Sequence, residues 1–202
     1  MKIAVFSDVH DNLERWREAA EIIKAERVKI GFCCGDIGDL DTVSEVAKSF
    51  EILYLNLGNL DFELKNGLDS RRSLSACPDG TDKGERDSSA CCSAKSLGMT
   101  KEGGNDRGGG LFPENVVFAP DFGEVVLEKR KIAYVHNNRK AKELAESERY
   151  DTVFYGHTHT PWEEQIGKTQ LINPGEVAGQ FGRASFAVFD LKTLKAELKI
   201  LK

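Results

Sequence analysis

Nothing in these 202 residues approaches the roughly 20 consecutive apolar positions that a membrane-crossing helix requires. The opening MKIAVFSDVH carries one Lys and about five apolar residues, too short a run for a signal-peptide core. A soluble, cytosolic protein with no membrane partner is the expectation. Cysteine is sparse and its number is odd. Five are present, with adjacent pairs at Cys33-Cys34 and Cys91-Cys92, and this does not resemble a secreted disulfide framework. Reduced thiols follow, and Cys77, Cys91 and Cys92 lack the fourth ligand and the spacing of a structural metal site. A dense Lys/Arg stripe is missing too. With a formal net charge of -5, tight backbone-driven binding of long nucleic acid is disfavoured, although a short phosphodiester can still meet a local positive site.

What is present alternates between two periods. Residues 2–6 form a short β-branched, apolar run that stops at Ser7-Asp8, as a buried strand feeding a loop would. Over 12–27, Leu13, Trp16, Ala20 and Ile23 recur at helical spacing, which places Trp16 in a helix core. The strand signal returns at 29–33 and 51–55, with a short helix at 40–49 between them. Residues 66–110 are crowded with Gly, Ser, Asp, Lys and Arg and carry almost no apolar residue at either period. Such a stretch buries too little surface to offset the entropy of ordering it, so it reads as a disordered insert or a flap near the site. Strands resume at 116–119, 124–127, 131–135, 152–155, 169–172, 185–189 and 194–200, with a helix at 139–147. Successive strands without intervening helices do not suit a simple doubly wound sheet. One α/β domain of two packed sheets with helices outside fits better.

Chemistry-bearing residues sit where these strands end. Asp8 and His10 follow the first strand and, two apart in an extended segment, would share a face. Asp36 follows Gly35, whose missing side chain lets backbone approach a ligand; a carboxylate there can bridge two cations. Asn59 follows Gly58 and offers a neutral oxygen, His136 follows the 131–135 strand, and His157 and His159 repeat the spacing of two. Each alone is more often a cap or a hydrogen-bonded surface residue. Together they are all four histidines of the chain, each at a strand end. Imidazole, carboxylate and amide oxygen without thiolate suit Mn, Fe, Ni or Zn.

The set Asp8-Val9-His10, Gly35-Asp36, Gly58-Asn59-Leu60-Asp61, His136 and Gly156-His157-Thr158-His159 resembles the motifs of the calcineurin-like metallophosphoesterases, in particular their small bacterial and archaeal phosphodiesterases. All five motifs occur in order. The resemblance implies a four-layer α/β sandwich, two central mixed β-sheets flanked by helices. It also implies two divalent metal ions, manganese first and nickel, iron or zinc as alternatives. Asp8, His10, Asp36 and His159 would hold one; Asp36, Asn59, His136 and His157 the other, with Asp8, Asp36, Asn59 and His136 central to catalysis. The two ions outweigh the carboxylates of Asp8 and Asp36, so an anionic ester is drawn in despite the acidic whole, and a metal-bridging hydroxide would attack phosphorus.

Departures from the motifs bear on this. Leu60 stands where many relatives have a histidine able to assist the leaving group. Asp61 would orient a metal-bound histidine or cap a turn. Asn137 replaces a usual glycine and is the least costly substitute if positive φ is needed there. Asn173-Pro174-Gly175 resembles a family turn near the metals, but Glu176 replaces a small hydroxyl residue and would repel phosphate if it pointed inward. Trp162 near the His157 loop reads as core rather than a stacking surface, and Arg139 and Lys140 read equally as phosphate contacts or as a helix-start surface. The expected function is a metal-dependent phosphodiesterase acting on a small phosphodiester. Phosphomonoesterase or nuclease activity on the same fold and a non-catalytic protein-interaction scaffold are the alternatives; oligomeric state leaves no signature.

Overall fold

The computed structural model describes residues 1–61, 64 and 112–202. The insert expected at 66–110, with Cys77, Cys91 and Cys92, lies outside the described residues. The chain builds two mixed sheets and, among the described residues, three helices of eight or more residues: α1 (Leu13–Ala25), α2 (Leu40–Ala47) and α3 (Asn138–Glu146). Strands β1 (Lys2–Phe6), β2 (Ile30–Cys33), β3 (Ile52–Asn56), β4 (Val116–Ala119), β10 (Ser185–Asp190) and β11 (Lys195–Ile200) form the first sheet, in the order β11-β10-β1-β2-β3-β4. The second, β5-β6-β7-β9-β8, contains β5 (Phe122–Leu127), β6 (Arg130–Val135), β7 (Thr152–Tyr155), β8 (Trp162–Ile166) and β9 (Thr169–Asn173).

Strand alternation sets the layers. In β1, Ala4 and Phe6 face α1 and α2 and join Trp16, Ala19, Ile23, Val43 and Val46. Ile3 and Val5 face the other way and pack with Phe32, Ile132, Tyr134, Phe154 and Phe189 between the sheets. A third cluster joins Ala133, Val135, Val153, Tyr155 and Leu171 to Ala141, Leu144 and Ala145 of α3. The result is helix, sheet, sheet, helix, the expected four layers. Each fully buried Leu, Ile or Phe contributes roughly 1.5–3 kcal/mol of transfer free energy, so the two-sided burial of β1 and β2 anchors the strands that carry the first half of the site. Neighbouring Cys33 and Cys34 are both free and buried, one in each core, and burial pushes both thiols well up.

Strand β8 was not anticipated. Its sequence, WEEQI, is exposed over four of five residues, so no apolar alternation marks it, and only antiparallel pairing to β9 defines it. Two glutamates suit an edge strand, where charge discourages further pairing. Trp162 is 56% exposed on this strand, contrary to the expected core position. Among the described residues no helix is long and apolar enough to cross a membrane.

Candidate metal centre

Strands β1, β2 and β3 run parallel in one sheet, and β6, β7 and β9 in the other. Loops leaving their carboxyl ends therefore collect at one edge, the position where open α/β sheets generally place ligands. Asp8 and His10 come from the loop after β1, Asp36 after β2, Asn59 after β3, His136 after β6, and His157 and His159 after β7. Backbone hydrogen bonds lace these loops together: Asp8 N to Gly35 O (3.0 Å), His10 N to Asp36 O (3.1 Å) and Ala178 N to Asp8 O (3.0 Å). The His157 N–H donates to Asp8 Oδ2 at 3.1 Å.

The structure brings all seven expected side chains into one linked group. His159 Nε2 stands 3.4 Å and His10 Nε2 3.8 Å from Asp8 Oδ1, and the two rings stack with centroids 5.3 Å apart. His136 Nε2 is 3.4 Å from Asp36 Oδ2 and 3.2 Å from His157 Nδ1, which is itself 3.2 Å from Asn59 Nδ2. Two triads have donor atoms close enough to share an ion: Asp8, His10 and His159, and Asp8, Asp36 and His136. Asp8 is common to both, and Asp36 belongs to the second.

Asp8 and His10 approach each other without the extended backbone that their spacing of two implied. Neither segment is extended: φ is +56° at Asp8, +47° at His10, +50° at Asp36, +71° at His157 and +56° at His159. Five of the seven residues thus occupy the left-handed region, disfavoured for a side chain with Cβ, and the surrounding fold must over-determine them. Gly58 shows how tightly: a β-carbon there would stand 2.0 Å from Asp36 Oδ1. Gly35, at φ +97°, makes room for His136 and Gly58 rather than for a ligand directly.

Hydrogen-bond partners fix which nitrogens are free. His136 Nδ1 lies 2.8 Å from the Cys34 carbonyl, an acceptor only, so Nδ1 donates and Nε2 is the nitrogen turned toward Asp36. Asp8 is fully buried, and neither its Oδ1 nor His10 Nε2 has a hydrogen-bond partner. A buried carboxylate oxygen and an imidazole nitrogen left without partners are costly unless a cation lies between them. The donor set therefore fits divalent metal ions. Burial pushes the Asp8 carboxyl above its ordinary value, only partly opposed by Ser7 and the histidines. At Asp36 burial pushes up as well, but the His136 side chain outweighs it and holds the carboxyl low; His136 is correspondingly held high against the opposing effect of its own burial.

Three residues serve in ways the sequence did not reveal. Asp61 touches no histidine. Its Oδ2 accepts the N–H groups of Gly58 (2.7 Å) and Asp36 (3.0 Å), and its Oδ1 that of Gly38 (3.1 Å), tying the β2 and β3 loops together. Asn137 does not use positive φ: at φ -71° it caps α3, accepting from Arg139 N and Lys140 N. Arg139 is a solvent-exposed helix-start residue. Glu176 is fully buried and points at His159 Nδ1, 2.9 Å away, so it lies behind the histidine. Burial pushes its carboxyl up, yet His159 and the N–H groups of Phe181, Gly182 and Gln180 outweigh this and hold it low. The departure at Glu176 from the small hydroxyl residue expected after the Asn173-Pro174-Gly175 turn was the signal in the sequence. Leu60 is largely exposed, and only its backbone N–H engages the site, donating to Asp36 Oδ1 at 2.7 Å.

Fold and site together define a metal-dependent phosphoesterase, and the comparison with known sequences agrees. Residues 1–194 match the calcineurin-like phosphoesterase superfamily domain, and the chain belongs to that superfamily. It is 31% identical over 181 residues to phosphodiesterase MJ0936 of Methanocaldococcus jannaschii, covering 89% of this chain and 86% of that protein. The structure of an archaeal phosphodiesterase superposes over the whole of both chains with a TM-score of 0.70 at 24% identity. Vps29 of Chaetomium thermophilum shares the fold, with a TM-score of 0.60 at 12% identity over 99% of this chain and 95% of that one.

Proposed function

We propose that this chain is a cytoplasmic phosphodiesterase acting on a small phosphodiester, with the seven side chains Asp8, His10, Asp36, Asn59, His136, His157 and His159 holding two divalent cations, manganese foremost and nickel, iron or zinc as alternatives. The observation that carries the reading is the pair of triads meeting at Asp8, whose Oδ1 is buried without a hydrogen-bond partner. Similarity to phosphodiesterase MJ0936 over most of both chains supports the diester as substrate. We take the chain as a single catalytic domain, with 66–110 inserted between β3 and β4.

Bound divalent ions would supply a water deprotonated near neutral pH and positive charge opposite the phosphoryl oxygens. The chain's own residues do the positioning. Asp8 and Asp36 bring negative charge to a buried edge where no lysine or arginine among the described residues pairs with either. Cys34 O holds the His136 ring with Nε2 toward Asp36. His157, Asn59 and His136 form a second wall of nitrogen and amide groups. Leu60 offers no proton to a leaving group, so esters with good leaving groups are the preferred substrates. Chelator-stripped protein supplied with Mn or Ni is expected to hydrolyse bis(p-nitrophenyl) phosphate, and Asp36→Ala to lose the activity. Absence of turnover with every divalent ion, together with metal-independent capture of a protein partner, would replace this reading with a scaffold.

A further inference from the structure

Glu176 has four hydrogen-bond contacts among the described residues. Its Oε2 accepts from Gln180 N at 2.9 Å and faces His159 Nδ1 at 2.9 Å; its Oε1 accepts from Phe181 N at 2.8 Å and from Gly182 N. An ionised carboxylate only accepts hydrogen bonds, so the His159 proton belongs on Nδ1 and the Nε2 lone pair is left free. That nitrogen is the one 3.4 Å from Asp8 Oδ1. The ring is held on its other sides as well, stacked on His10 (3° between planes) and meeting the edge of Phe181 with centroids 4.7 Å apart. Because Glu176 also takes the Phe181 N–H, one carboxylate locates both the histidine and the aromatic beside it.

We infer that Glu176 is a positioning residue that fixes the tautomer and orientation of His159, presenting Nε2 toward the Asp8 carboxylate for a cation. This rests on the metal-centre reading above. A residue that merely stapled the turn from Glu176 to Gly182 would need only the three backbone donors. The fourth, from a side chain on a different loop, is what a turn staple leaves unexplained. A carboxylate behind a ligating imidazole also raises its basicity and restricts its rotation, and loss of such a partner commonly weakens metal binding about 10–100-fold.

The test uses the full chain, chelator-stripped and labelled with 15N-histidine, the His159 signals being identified by their loss in His159→Gln. Long-range 1H–15N spectra should show His159 with its proton on Nδ1 before any metal is added. In Glu176→Gln, whose amide no longer provides acceptors for all four donors, this tautomer should be lost. Calorimetric titration with Mn(II) should then show one of two sites weakened by about 10–100-fold while the other is retained. Folding of the variant is checked by circular dichroism. A wild-type His159 protonated on Nε2 overturns the inference without any variant. So does a folded Glu176→Gln protein that keeps both the tautomer and both affinities. If the wild-type tautomer is as stated and Mn(II), Ni(II) and Zn(II) all fail to bind, the metal-centre reading falls while the Glu176–His159 arrangement stands.

Discussion

Asp8 concentrates the conflict between stability and function at the scale of a single residue. It is buried, its Oδ1 has no hydrogen-bond partner, and burial raises its carboxyl above the usual range. Replacing an uncompensated buried charge by a neutral isostere is often neutral or stabilising. Asp8→Asn should thus raise the stability of metal-free protein by on the order of 1 kcal/mol while abolishing the gain on adding Mn(II), both read by urea denaturation. Tyr150, which belongs to the third cluster rather than to the seven candidate ligands, gives a separate pH test. Its hydroxyl donates to Glu124 Oε2 at 2.7 Å, and burial followed by that carboxylate pushes the phenol up to about 12. An unfolded tyrosine ionises near pH ~10. The folded state therefore holds this proton more tightly, and the resulting stability is full below about pH 10 and lost as pH rises toward 12. The stability deficit of Tyr150→Phe should accordingly shrink across that window in denaturation curves.

At the scale of elements, the site is a set of loop ends held in register by buried side chains. Asp61 binds the β2 and β3 loops through three backbone N–H groups. Asp61→Ala would leave these donors unpaired, and a loss of about 3 kcal/mol or more is expected in urea unfolding, with reduced Mn(II) affinity because Asp36 and Asn59 lose their common anchor. Asn137 discriminates between two accounts of its loop. As the cap of α3 at φ -71°, it should lose about 1 kcal/mol on change to Ala and only a few tenths on change to Gly. A position that needed positive φ would instead favour Gly over Asn and penalise Ala more heavily. Most elements were legible in the sequence because their periods are clean: β1 and β4 begin and end at the expected residues, and α1 is two residues shorter at its C-terminal end. Strand β8 was not, because four exposed polar or aromatic residues leave no alternation to read.

For the whole molecule, cation binding and folding are linked. The unfolded chain has no preformed set of ligands, so bound metal stabilises the folded state by mass action, by about 2.7 kcal/mol at a free concentration 100 times Kd. Thermal unfolding of chelator-stripped protein should shift upward with added Mn(II), and the shift should be absent in Asp36→Ala. The four layers make this coupling global. Asp8 and Asp36 leave strands whose two faces are buried in different cores, while His136, His157 and His159 come from the second sheet. A cation held by both sets ties the two sheets together at their common edge.

The identities of the seven side chains and their positions after strands were determined by the sequence alone, because apolar periodicity and strand-terminal Asp, Asn and His are local properties of the chain. The class of fold followed from the same pattern. What only the tertiary structure decided was orientation: which histidine nitrogen is free, that Asp8 is shared between triads, that Asp61 binds backbone, and that Glu176 stands behind His159. These depend on left-handed backbone at five of the seven residues and on hydrogen bonds between loops as far apart in the chain as those of Asp8 and Ala178. No local period in a sequence encodes contacts of that range.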